Sequence, residues 1–241
     1  MKLTLASAAA LAALAAPLAA HAAEFNTLST LTQAEFNLLA KDLGAATAYK
    51  QLASATPLGI TGFDIAVASA FVKPANSEVW EKAAGGANIP STVPVPGVRI
   101  AKGLPFGIDI GASYLAIPEV KGKLAGAELR WAIVDGGLVT PALGVRLAVT
   151  KLTGMDQLSL TNTSLDVSVS KGFPFLTPYA GVGVVSTRAE AEGVATLAKE
   201  SVNQSRLFAG VHLNLGIFDI TVEGDKTGKT SGVNARLGFR F

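Results

Sequence analysis

From Gly59 to the carboxy-terminus, apolar residues return at every second position, separated by small or polar ones. A strand sends alternate side chains to opposite faces, so each such stretch has one greasy face and one polar face. The pattern predicts ten strands, at 59–71, 97–102, 106–115, 124–134, 141–152, 158–171, 177–188, 206–216, 218–223 and 230–241. In the first, Phe63, Ile65, Val67 and Phe71 oppose Gly62, Asp64, Ala66 and Ala68. In the third, Phe106, Ile108, Ile110 and Tyr114 oppose Gly107, Asp109, Gly111 and Ser113. In the fourth, Leu129, Trp131 and Ile133 oppose Glu128 and Arg130, and in the eighth Leu207, Ala209, Val211, Leu213 and Leu215 oppose Gly210, His212 and Asn214. The second, 97–102, is the weakest of the set.

The connections read as two kinds. Those at 103–105, 135–137, 172–174 and Gly216 are tight; those at 73–96, 116–123, 153–157, 189–204 and 224–229 read as longer and polar. An even strand number with short turns at one end and longer loops at the other is the arrangement of an outer-membrane barrel, with both chain ends on the periplasmic side. The fold expected is therefore all-β: a transmembrane, antiparallel, up-and-down barrel of about ten strands, eight or twelve being the alternatives. No stretch after the first twenty residues approaches the roughly 18 apolar residues of a membrane helix. The chain is nonetheless 49% hydrophobic with a mean hydropathy of +0.41, and a barrel reconciles the two by spreading its apolar residues singly.

Two segments precede the strands. Met1-Lys2, the apolar run 3–20 and Ala20-His21-Ala22 read as a secretory leader, 1–22, cleaved after Ala22. Residues 23–57 read as a short amphipathic helical segment. Thr32 and Glu35 form a capping box, Leu31, Leu38, Ala45 and Leu52 recur every seven residues, Gly44 weakens the helix slightly, and Pro57-Leu-Gly59 ends it about 20 residues on. This helix either caps a barrel mouth or lies at the membrane interface, or it plugs the lumen. The plug requires a strand number at the upper end, because about eight strands enclose only their own side chains. The remainder, 58–241, is the barrel.

The last strand carries a more specific likeness. Val233, Ala235, Leu237, Phe239 and Phe241 alternate with Asn234, Arg236, Gly238 and Arg240, and the chain stops on an aromatic. This resembles the closing strand of a bacterial outer-membrane β-barrel, and the resemblance implies that Phe239 and Phe241 belong to the signal read by the barrel-assembly machinery. Three further stretches, Pro57-Leu-Gly-Ile-Thr-Gly-Phe-Asp64, Lys102-Gly-Leu-Pro-Phe-Gly-Ile-Asp109 and Leu176-Thr-Pro-Tyr-Ala-Gly-Val-Gly183, are similar to a small proteobacterial outer-membrane barrel family. That likeness spans 24–241 and implies a fold and a place in the cell outer membrane, but no activity.

The inward positions collect Asp64, Asp109, Glu128, Arg130, Arg146, Asp166, His212, Asn214, Glu223, Arg236 and Arg240. Acids and bases enclosed together should pair across strands, because an unpaired buried charge costs several kcal/mol, on the order of 3–5. Small inward residues such as Gly107, Gly111, Gly144 and Ala148 leave space for a water-filled passage. Aromatic residues, among them Phe106, Trp131, Tyr179 and Phe218, fall near strand ends, as interfacial girdles do. Trp80 sits apart, in the long first connection.

The catalytic signals are thin. Cysteine is absent, and no phosphate loop, paired-His spacing or calcium loop occurs. Beyond the leader the one histidine is His212, without the His-x-Ser arrangement of barrel lipid A deacylases. The net charge of +2 gives no case for nucleic acid. The expectation is a non-enzymatic barrel without cofactor or metal. It serves as a narrow passive channel for small solutes or as an envelope structural protein, with outer-membrane lipid, lipopolysaccharide and the assembly machinery as partners. The alternatives are a lipid-modifying enzyme and a barrel that binds surfaces through its outer loops.

Overall fold

The computed structural model describes residues 25–137 and 139–241. Ten antiparallel strands close into a barrel, each bonded to its neighbours in the chain and β1 to β10. They are β1 Phe63–Lys73, β2 Val93–Gly103, β3 Ile108–Ile117, β4 Gly122–Val134, β5 Ala142–Thr153, β6 Leu158–Ser170, β7 Leu176–Ala191, β8 Glu200–Leu215, β9 Phe218–Thr227 and β10 Thr230–Arg240. Two helices accompany them, α1 Gln33–Thr47 before the strands and α2 Ser77–Ala83 between β1 and β2. The expected leader, 1–22, lies outside the described residues.

Period-two alternation is the reason for the wall's two faces. Ile65, Val98, Ile110, Leu129, Leu147, Leu165, Val182, Leu207, Val222 and Val233 are all exposed on the outside, one from each strand. Each is about half exposed and would gain roughly half of the 1.5–3 kcal/mol that full burial of such a side chain is worth, so the belt they form suits an apolar surrounding and not a soluble surface. The opposite positions, such as Asp64, Arg146, Asp166 and Glu223, are buried. Closure leaves no strand edge unpaired.

Several expected boundaries move. β2 begins at Val93 rather than 97, and β8 at Glu200 rather than 206. Half of 116–123 and most of 224–229 are strand, with β3 and β4 joined through a 3-10 turn at Pro118–Val120, and β9 and β10 joined through 228–229. At the other end, 135–141 is longer than expected. The asymmetry of loop length therefore rests on two connections, 74–92 and 192–199. We call their end of the barrel the loop end and the opposite one the turn end. Phe106 is not an outward strand residue: it sits in a turn with φ +66°, and β3 starts two residues later. Tyr179 points inward rather than into a girdle, its hydroxyl donating to Glu223. Asn214 is exposed at the turn end, where its Oδ1 accepts from Gly216 N.

α1 lies inside the wall, packed on β6, β7, β8 and β10. Its capping box forms as its sequence requires: Glu35 N donates to Thr32 Oγ1 at 3.3 Å, and Thr32 N donates to Glu35 Oε2 at 2.7 Å. The helix stops at Thr47, ten residues short of the expected Pro57 breaker. The wall supplies the reason. Beyond Ala46 the backbone carbonyls find side-chain donors instead of helical amides: Thr150 Oγ1 to Thr47 O at 2.8 Å, Arg206 Nη1 to Tyr49 O at 2.8 Å, and Arg99 Nη1 to Lys50 O at 2.7 Å.

Candidate functional site

The chemistry of this molecule is concentrated where the amino-terminal segment meets the lumen wall. The segment enters at the loop end. There Glu35 pairs with Lys82 of α2 at 2.7 Å, Gln33 bonds Ala198 O and Glu200, and Asp42 accepts from Asn76 N and Thr230 Oγ1, each at 2.7 Å. It leaves at the turn end, where Leu58 N donates to Asp109 Oδ1 at 3.0 Å and Lys102 Nζ reaches Ile60 O at 2.6 Å. Residues 25–62 thus run the length of the barrel. Of the placements expected for the helix, the plug is the one observed, and ten strands suffice to hold it.

At the middle of the lumen, three guanidinium groups grip the backbone of Tyr49, Lys50 and Gln51. Arg146 and Arg206 donate to Tyr49 O, and Arg99 to Lys50 O and Gln51 O. Arg99 and Arg146 also lie over the Tyr49 ring, at 4.5 and 5.6 Å from its centroid. Acids answer each base. Arg146 Nε bonds Asp166 Oδ2 at 3.0 Å, and Glu128 sits within 4 Å of Arg99, Arg130 and Arg146. Arg206 faces Glu223 and Lys50 faces Asp225, the latter at 2.9 Å. Glu223 also accepts from Leu52 N and from the Tyr179 hydroxyl. Removing one partner of such a pair strands the other without water, typically at 3–5 kcal/mol or about that order.

Toward the turn end, Asp64 accepts from Arg236 and Arg240, both at 2.9 Å, Asp219 accepts from Arg236, and Arg130 pairs with Asp109 at 3.1 Å. His212 Nδ1 lies 2.9 Å from Thr221 Oγ1 and 3.7 Å from Asp219 Oδ1. Both neighbours meet the same ring nitrogen. A nucleophile–His–acid relay needs them on opposite nitrogens.

Asp64, Asp109, Glu128, Arg130, Arg146, Asp166, His212, Glu223 and Arg236 are buried on the inner face, with Arg240 half-buried at the mouth. Sequence reasoning missed Lys50, Arg99, Arg206, Asp219 and Asp225. Arg99 and Asp219 have the right parity in strands 2 and 9. Arg206 and Asp225 lie at or beyond expected strand ends, and nothing in its own sequence context marks Lys50.

The small inward residues also change meaning, because the space they leave is occupied. A Cβ on Gly126 would come within 2.9 Å of the Tyr49 ring, and one on Gly144 within 3.4 Å of Ala55 Cβ. Between plug and wall, cavities of about 20 Å³ by Tyr49 and Arg99, and about 10 Å³ by Gln51 and Arg130, persist.

No family model matches the sequence, and neither does any curated protein. Among solved structures, the chain is similar to the amino-terminal β-barrel domain of Pseudomonas aeruginosa OprF, with 13% identity, 76% of this chain and 99% of that one covered, and a TM-score of 0.37. It is similar to the KdgM porin at 7% identity, with 74% and 99% covered and a TM-score of 0.39. A third likeness is to LpxR from Salmonella typhimurium, at 12% identity, with 73% and 99% covered and a TM-score of 0.37. The fold assignment rests on the closed strand ladder itself.

Proposed function

We propose that this chain is a sealed outer-membrane barrel that serves the envelope as a structural protein rather than as an open passage for solutes. One observation carries the reading: the lumen is filled from end to end by residues of the same chain, held by Arg99, Arg146, Arg206 and Lys50. The cavities beside Tyr49 and Gln51, in the middle of the lumen, are each about the size of one water, which takes about 10–15 Å³, so a hydrated ion or a sugar does not fit there. The outer-membrane setting is supported by the exposed apolar belt and by the aromatic seam at the end of β10. There Phe239 packs on Phe218 at 5.7 Å and on Phe241 at 5.4 Å, and Phe241 packs on Phe63 at 5.6 Å. The buried position of His212, with both neighbours on one nitrogen, favours a non-catalytic role for it.

The test is planar-bilayer recording of the full chain after refolding and insertion. The expected trace stays at baseline under moderate voltage. A steady, ohmic conductance from every inserted molecule would overturn the sealed reading. Surface binding through the first loop is compatible with the same barrel, since 74–92 carries a folded helix, α2, whose Trp80 packs edge-on against Phe25 at 5.7 Å.

A further inference from the structure

The outer wall turns polar toward its loop end, above the apolar belt. Four consecutive strands bring Lys151, Thr161, Arg188 and Ser201 into one lateral row: Lys151 pairs with Thr161, Thr161 with Arg188, and Arg188 with Ser201. All four have outward parity, and Lys151, Arg188 and Ser201 are exposed. With neighbouring strands about 4.8 Å apart, the two cations stand roughly 10 Å from each other across the Thr161 hydroxyl. A recess of about 280 Å³ opens on the Arg188 side of the row, lined in part by Ser159, Thr161, Arg188 and Ser201.

The row itself carries two cations and no acid, while the recess beside it also holds Glu190, Lys199 and Glu200. Glu190, also at the recess, is paired with Lys199 at 2.8 Å. Glu200 turns inward to Asn37 at 2.7 Å. Neither Lys151 nor Arg188 has an ion-pair partner among the described residues. Toward the turn end the same strands become apolar by steps, at Val149, Leu165, Val184 and Leu207, with Thr163, Ser186, Asn203 and Ser205 outward between the row and the belt. The opposite margin of the belt carries exposed aromatics instead, at Trp131, Phe173, Phe218 and Phe239.

We propose that this row is a docking site for the phosphate of a phosphorylated, multiply acylated glycolipid of the lipid A class, whose acyl chains lie along the belt beneath it. The chemistry is complementary on both counts: two cations with the Thr161 hydroxyl between them for the phosphate, and a branched apolar wall further down the strands for the chains. The assignment rests on the outer-membrane reading above, with the loop end in the outer leaflet.

The test uses the full chain in detergent and in vesicles, with diphosphoryl lipid A, its dephosphorylated form and phosphatidylglycerol as probes. Retention is read by native mass spectrometry, and folding by heat-shifted gel migration. Diphosphoryl lipid A is expected to be retained over both other lipids. Lys151→Gln and Arg188→Gln should each weaken retention about fivefold, the worth of one cation near a charged lipid surface. The charge-keeping swaps Lys151→Arg and Arg188→Lys should hold it. Equal retention of the three lipids, or folded glutamine variants that bind as tightly as the parent, would overturn the site alone. If the glutamine variants do not fold, the comparison of lipids on the parent chain decides. A chain that fails to float with vesicles would overturn the membrane reading and this site with it.

Discussion

Gly44 is the residue at which the plug comes closest to the wall. A Cβ built there would overlap Thr187 Oγ1 and lie 2.9 Å from its Cβ and Cγ2. Thr187 cannot yield easily: it is fully buried, its hydroxyl donates to Asn162 at 2.7 Å, and its branched side chain is stiff about χ1. As a helix residue, glycine is worth about 1 kcal/mol less than alanine. Gly44→Ala would gain that in an isolated helix, but overpacking at a tight interface costs about 1–3 kcal/mol. The expected outcome is net destabilisation, read as a lower urea midpoint of the refolded protein, and recovery when Thr187→Ala is added. An increase in stability from Gly44→Ala alone would mean that α1 does not lie against β7. The glycine that argued weakly against the helix is thus there because of where the helix sits, which no property of residues 33–47 discloses.

At the scale of elements, the strands were legible wherever their outward face is apolar. Where the same strands rise past the belt the signal vanishes. Ser201, Asn203 and Ser205 on β8 are outward yet polar, so alternation with the inward Val202 and Arg206 carries no hydrophobic period, and the sequence pattern starts the strand six residues late. Pro94 and Pro96 shorten the reading of β2 in the same way. The start of α1 was legible because a capping box is a local device, and its end was not, because wall arginines terminate it. The same start carries a pH dependence. The Lys82 ammonium, with help from the Thr32 amide and hydroxyl, lowers the Glu35 carboxyl from an ordinary 4.5 to about 2. A depressed carboxyl stabilises the state that holds it charged. The clasp between α1 and α2 is therefore at full strength above about pH 4.5 and is lost as pH falls toward 2. A carboxyl chemical-shift titration of Glu35 should show its midpoint near 2, moving up toward the ordinary value in Lys82→Gln. A midpoint near 4.5 in the parent chain would dissolve the clasp.

At the scale of the whole molecule, ten strands return the chain to the end at which β1 began, so Phe63 and Phe241 are neighbours, each bonding the other's backbone. The amino-terminal segment breaks that symmetry by crossing the lumen, so Phe25 lies at the loop end, against Trp80, and not beside the carboxy-terminus. Strand parity predicts both chain ends on the periplasmic side, and the amino-terminal end departs from this by lying at the loop end. Parity holds for strands but is silent about a thread passing inside them. Orientation in the membrane then becomes a statement about which residues meet the medium. Thr30 is exposed at the loop end, and Val139 is exposed at the turn end. The chain has no cysteine of its own, so single introduced thiols report cleanly. On intact cells, a membrane-impermeant maleimide should label Thr30→Cys at once and Val139→Cys only after the outer membrane is opened. The reverse order would place the loop end in the periplasm and carry the cationic row away from the outer leaflet. Labelling of both on intact cells would remove the spanning barrel itself. The plug makes this a sharper test than a loop tag, because residue 30 reaches the outside only if the segment behind it runs through the wall's interior, past Tyr49 and the three arginines that hold it.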